Sequence, residues 1–287
     1  MKFTSKVFID KGWSDDRKYC VTDADGAKYL LRVSPVEKQA RRAEVFRRMQ
    51  KAAALGIPMN APLDFGLCEE GVYTLLSWID GEDAETAIPR LPEAEQYALG
   101  LEAGRMLRKL HSIPAPAGLP DWETGCGAKI EKRNKNYRDC PYKISGEEHI
   151  LAYIEENRHL LRGRPQCFLH GDYHIGNMML EKGKLVLIDF DRCGFGDPWQ
   201  EFNRLVWCAK AAPAFARGRV DGYFDGEVPA DFWRLLALYI AGNALGAVPW
   251  AIPFGPGEIH TMLNQAQDVL RWYDNMRNPV PTWYQGA

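Results

Sequence analysis

The sequence is poor in the features that mark several protein classes. Its seven cysteines, at positions 20, 68, 126, 140, 167, 193 and 208, form no C-x-x-C pair and are odd in number. That argues against a zinc ribbon or a closed disulfide framework and predicts reduced thiols in a cytoplasmic setting. No stretch approaches the roughly 20 apolar residues that span a bilayer. Residues 235–252 come nearest, but Gly242, Asn243, Gly246 and Pro249 interrupt them, which reads as a buried core helix. The first residues hold no apolar run of signal-peptide length. An excess of positive charge is also missing. With 36 Lys and Arg against 38 Asp and Glu, the formal net charge is −2, so neither nucleic acid nor a membrane surface is an expected partner.

What is present suits a globular enzyme: 287 residues, 46% hydrophobic and 26% charged. The first ~80 residues read as strands around one helix. Residues 3–9, 19–22 and 28–33 carry strand patterns, and Asp23-Ala24-Asp25-Gly26 between the last two is a hairpin signal. Ser34, Pro35 and Glu37 form the pattern of a capping box, predicting a helix to about Leu55 that stops at Gly56. Strands are expected at 61–67 and 72–79. The polar run Asp80-Gly81-Glu82-Asp83 looks like a joint, after which helices dominate: 92–111, 147–161, 199–211, 230–248 and 256–276. Residues 121–145 show no regular pattern. Short apolar runs at 167–169, 178–180 and 185–188 suggest a small hairpin within the helical part. The order predicts an α+β protein with a boundary near 79/80: residues 1–79 as a small lobe and 80–287 as a larger one.

The most informative segment is His170-Gly171-Asp172-Tyr173-His174-Ile175-Gly176-Asn177, followed by Val186-Leu187-Ile188-Asp189-Phe190-Asp191. A carboxylate sits in a loop after an apolar run, an amide follows five residues on, and a second carboxylate ends the next strand. Phosphoryl transfer needs such a set. One carboxylate orients an acceptor hydroxyl and takes its proton. An amide oxygen and another carboxylate hold magnesium against the donor phosphates.

The string HGDYHIGN…LIDFD resembles the catalytic core of the aminoglycoside phosphotransferase and choline kinase-like family. That resemblance implies the two-lobed protein-kinase-like fold: an N-terminal β-sheet lobe with one long helix, and a mainly helical C-terminal lobe. It further implies Asp172 as catalytic base, Asn177 and Asp189 as Mg2+ ligands, and ATP or GTP as donor. His170 would support the loop, and Asp191 would act behind Asp189 or bind a surface base. Arg32 stands where the family's phosphate-anchoring lysine is expected, with Lys28 as fallback and Glu44 as the helix partner. The nucleotide loop would be Lys11-Gly12-Trp13-Ser14-Asp15-Asp16-Arg17-Lys18, which has one glycine, with Ser14 facing the phosphates. Ser77, Trp78 and Ile79 would hydrogen-bond the base. Arg41, Arg42, Arg47 and Arg48 read as a solvated helix face.

The acceptor implied is a hydroxyl-bearing small molecule, either an aminoglycoside-type antibiotic, which would make resistance the role, or a metabolite such as a sugar or amino alcohol. Two other readings stay open. One is a nucleotide-binding pseudokinase without transfer. The other is a metallohydrolase using His170, Asp172 and His174.

Overall fold

The structure, a computed structural model, describes residues 2–10 and 16–285. Contacts divide the chain into two compact units, the first comprising Met1–Ala87 and Gly176–Cys193, the second Ile88–Ile175 and Gly194–Ala287. This differs from a single break at 79/80, because a later hairpin returns to the first unit.

In the first unit, β1 (Ser5–Phe8), β2 (Arg17–Thr22), β3 (Lys28–Ser34), β4 (Pro62–Cys68) and β5 (Gly71–Ser77) form one antiparallel sheet in the order β1-β2-β3-β5-β4. The β2–β3 turn is the predicted one. Gly26 takes φ +83°, and Asp23 Oδ1 accepts from the backbone N–H groups of Asp25 and Ala27. Helix α1 (Gln39–Ala53) lies against β4 and β5 and buries Arg42, Val45, Met49 and Ala52, a single stripe at helical spacing. Its predicted stop holds, with Gly56 at φ +68°. Its predicted start does not. Ser34 ends β3, and its hydroxyl accepts from Arg42 Nε at 2.9 Å, so no capping box forms and a 3₁₀ turn, Val36–Lys38, precedes the helix.

Short strand β6 (Glu82–Asp83) and helix α2 (Ala84–Ala87) follow. After β7 (Cys167–Leu169), which belongs to the second unit, β8 (Met178–Glu181) and β9 (Lys184–Leu187) form the returning hairpin. Lys182 and Gly183 at its turn have φ of +50° and +77°. The hairpin is tied in by β6–β8 pairing and by Leu187, which donates to Pro58 O (2.9 Å) and accepts from Asn60 N (3.1 Å).

The second unit is helical: α3 (Glu93–Leu110), α4 (Trp122–Arg138), α5 (Glu147–Asn157), α6 (Leu205–Ala211), α7 (Pro213–Phe224), α8 (Ala230–Ala251), α9 (Pro256–Trp272) and α10 (Thr282–Gln285), with β7 paired to β10 (Gly194–Gly196). The stretch without apparent pattern contains α4. Asp121 caps it by accepting from Thr124 N, and Trp122, Cys126, Ile130 and Tyr137 form its buried stripe, which Gly125 and Gly127 obscure in the sequence. Helix α7 was also not expected. Its packing face is glycine: a Cβ on Gly100 or Gly104 of α3, or on Gly218 or Gly222 of α7, would fall on the other helix's backbone. The two G-x-x-x-G faces therefore pack main chain against main chain. The span Ala230–Phe254, α8 with the turn after it, is long and apolar enough to cross a membrane by length and composition, against the expectation that no stretch approaches that size, but 67% of its apolar window is buried inside the fold, in line with the core helix expected there.

Candidate active site

Loop Gly171–Ile175 carries Asp172 and is fixed within the second unit by buried polar contacts. His170 is fully buried, and its Nδ1 accepts from the Asp172 backbone N–H at 3.4 Å. Gly171, at φ +87°, turns its N–H onto the Glu201 carboxylate, 2.9 Å to Oε1. A side chain other than glycine would be strained at that φ. Burial pushes the Glu201 carboxyl up, but the neighbouring His111, His170 and Arg219 outweigh it and the net shift is downward. Arg219, with no exposed surface, donates to Tyr173 O (2.7 Å) and Glu201 O (3.2 Å) and lies over the Tyr173 ring. Tyr173 Oη in turn donates to Ala103 O at 2.7 Å. Asp172 itself meets Arg204 Nε at 3.0 Å and His174 Nε2 at 3.7 Å. Burial holds the His174 imidazole down to about 4, against the pull of Asp172.

In the first unit the hairpin register sets Asn177 and Asp189 close together. Met178 pairs with Leu187, and Ile188 N donates to Asn177 O at 3.1 Å, so Asn177 and Asp189 flank the open end of β8–β9. Asp189 then adopts a left-handed conformation (φ +61°, ψ +65°) before a 3₁₀ turn, Phe190–Arg192. Phe190 is buried beneath, while the Asp189 side chain stays 43% exposed, with Arg32 Nη1 3.9 Å away. Asn177 and Asp189 offer hard oxygen donors, the type magnesium takes alongside waters and phosphate oxygens, so they fit that ion. Among the described residues no group of three or more His, Cys, Asp or Glu side chains is placed to hold a metal ion, so His170, Asp172 and His174 are not brought together as such a group.

Asp191 is different. It receives Arg32 on both oxygens, with Nη1 at 2.5 Å, and also Arg42 Nη1 at 2.8 Å. Both arginines bond Asp16 as well, Arg32 through Nε at 2.6 Å. Asp16 has no side-chain exposure and Arg42 only 5%. Burial raises the Asp16 carboxyl, but Arg32 and Arg42 together carry it below its ordinary value. This cluster corrects two expectations. The Arg32–Glu44 pair does not form: Glu44 meets Arg47 at 2.7 Å and Arg48 at 3.0 Å instead. Arg42 is not on a solvated face, because it shares the buried stripe of α1 and Glu44, two residues on, points elsewhere.

Ser77 ends β5 and its hydroxyl accepts from Ala61 N at 2.8 Å, while Trp78 and Ile79 follow half-buried. Lys28 is exposed at the start of β3. Ser14 lies outside the described residues. Sequence reasoning placed Arg42 on a solvated face and gave Glu201, Arg204 and Arg219 no role in the site. Only Arg42 carried a local signal, its place on the apolar stripe of α1.

An antiparallel sheet with one long helix, a mainly helical remainder, and the H-G-D and I-D-F-D segments define a protein-kinase-like phosphotransferase. A sequence profile described as the phosphotransferase enzyme family matches residues 7–234, and the chain belongs to that family, whose activity is phosphoryl transfer to a hydroxyl acceptor. Solved structures agree on the fold. A thermostable mutant of aminoglycoside phosphotransferase APH(4)-Ia with ADP and hygromycin B is 17% identical, covers 94% of each chain and gives a TM-score of 0.66. Amicoumacin kinase hAmiN with AMP-PNP, Ca2+ and Ami is 15% identical over 98% of this chain and 92% of its own, at 0.67. The gentamicin complex of APH(2")-IIa is 16% identical over 93% and 92%, at 0.64. No curated protein sequence matches the chain.

Proposed function

We propose that this phosphotransferase moves the terminal phosphoryl group of ATP to a hydroxyl of a small acceptor, with Asp172 as base and Asn177 and Asp189 as magnesium ligands. The observation that carries this reading is the contrast within Asp189-Phe190-Asp191: Asp191 is closed by two guanidinium groups, whereas Asp189, in a left-handed conformation, keeps a 43% exposed side chain. Bound magnesium would supply charge neutralisation on the donor phosphates. The acceptor O–H proton passes to the Asp172 carboxylate as the new O–P bond forms, and the nucleoside diphosphate leaves. Arg204 orients Asp172, and Glu201 and Arg219 hold the loop that carries it.

In this reading residues 1–79 serve the nucleotide, with Ser77, Trp78 and Ile79 meeting the base, and 80–287 carry the base catalyst and the acceptor. The similar solved structures hold hygromycin B, gentamicin and Ami, which supports an aminoglycoside-type antibiotic as acceptor; a sugar or amino-alcohol metabolite is the other acceptor class to be screened. Seven free cysteines support a cytoplasmic location.

The test is a magnesium-dependent thermal shift with ATP and GTP, followed by an acceptor screen read as ADP release over aminoglycosides, sugars and amino alcohols. Asp172→Asn should lower kcat at least about 1000-fold with nucleotide binding retained, and Asp189→Asn should weaken binding of the magnesium–nucleotide. Nucleotide binding with no acceptor-stimulated turnover across the screen would favour the pseudokinase reading.

A further inference from the structure

Arg32 occupies the strand position from which a cation is expected to reach the donor phosphates, yet its guanidinium is committed elsewhere. Nε bonds Asp16, and Nη1 and Nη2 bond Asp191. Asp16 is buried with no exposed side-chain surface. Swinging Arg32 onto a phosphate would strip a buried carboxylate of one of its two guanidinium partners, an outcome that buried pairs resist.

The antiparallel register sets a second cation beside it. Lys18 of β2 is the direct cross-strand partner of Arg32. Directly opposed residues in such a ladder project from the same face, with Cβ atoms about 5 Å apart. Lys18 therefore rises from the face on which Arg32 meets Asp191 and approaches Asp189. Burial and the neighbouring Arg32 guanidinium draw the Lys18 ammonium below its ordinary value, and Asp189, Asp191 and Asp16 pull the other way. A lysine on a flexible stem suits phosphate contact as a compact point charge that needs no planar partner.

Resting on the phosphotransferase reading above, we propose that Lys18 of β2 is the cation that contacts the phosphates of the nucleotide donor, while Arg32 stays bonded to Asp16 and Asp191. The experiment measures binding of AMP-PNP with Mg2+, and of adenosine as a phosphate-free control, by calorimetry. Wild type is compared with Lys18→Gln, Lys18→Met, Lys18→Arg and Lys28→Gln, each checked for Tm.

Loss of the charge at Lys18 should weaken AMP-PNP binding by about 10- to 100-fold, the size of one charge-assisted contact, with adenosine affinity and Tm held. Lys18→Arg should recover most of the loss. Two charge-removing variants keep the test open if one fails to fold. Unchanged AMP-PNP affinity in folded Lys18→Gln or Lys18→Met, equal losses for AMP-PNP and adenosine, or a loss at Lys28 in place of Lys18 would each overturn the assignment while leaving the phosphotransferase reading intact. Failure of the wild type to bind AMP-PNP would overturn both.

Discussion

Replacing Arg42 with methionine tests the charge cluster most directly. The side chain is 5% exposed and bonds Asp16, Asp191 and Ser34. Methionine restores apolar volume but leaves Asp16, with no exposed side-chain surface, to Arg32 and to Lys38 at 3.5 Å. Removing one partner of a buried pair costs 3 to 5 kcal/mol in measured cases; with Arg32 still in place the lower end applies, about 3 kcal/mol. For a chain of this size that corresponds to a Tm fall of about 6–12 °C. Glu44→Ala supplies the contrast. Its carboxylate is 41% exposed, and its two arginine partners are local on the same helix, so its removal should cost at most ~0.5 kcal/mol. Urea unfolding of both variants at low salt and in 1 M NaCl separates the cases. Salt screens the exposed pairs but not the buried cluster, so the Arg42→Met deficit should persist. Equal losses for the two variants, or an Arg42→Met deficit that disappears in salt, would refute the reasoning.

Stability should also fall as pH drops from about 6.5 to 4. The His174 imidazole is held down to about 4 in the folded chain, so the unfolded chain binds more protons across that window. The loss has a ceiling of about 3 kcal/mol, less whatever solvent screens at a side chain 21% exposed. His174→Gln should flatten the slope between those pH values, and an unaltered slope would sink the assignment. Gly104→Ala should cost about 3 kcal/mol, because the added Cβ meets the α7 backbone at Arg219 and Gly222; a urea midpoint equal to wild type would show that α3 and α7 part without penalty.

The parts of the fold legible in the sequence were those governed by neighbours along the chain. Asp23 to Gly26 declares its turn because the Asp23 carboxylate bonds the turn's own amides, and Gly56 ends α1 because only a left-handed residue fits there. The candidate site was legible as residue types, since Asp172, Asn177 and Asp189 lie within one loop and hairpin. What escaped depends on distant partners. Ser34 has the form of a cap, but its hydroxyl is taken by Arg42 from the next helix. Helix α7 shows no apolar stripe because its contact face is made of Gly218 and Gly222, and a glycine face adds nothing to hydrophobic periodicity. The partners of Arg32 lie 16 and 159 residues away, beyond any local pattern.

The string Asp189-Phe190-Asp191 shows where physical reasoning must go past the motif. In an extended strand both carboxylates would share one face and compete for the same cation. The left-handed turn at Asp189 breaks that alternation, with Phe190 buried and the two carboxylates in different surroundings. For Asp191 to ligate a divalent cation, Arg32 and Arg42 would have to let go of it, and both are also the main partners of fully buried Asp16. For Asp189 the same step displaces a guanidinium nitrogen at 3.9 Å. The difference is one buried network against one long, part-exposed contact, and it favours Asp189 on energetic grounds that the sequence of the motif does not contain.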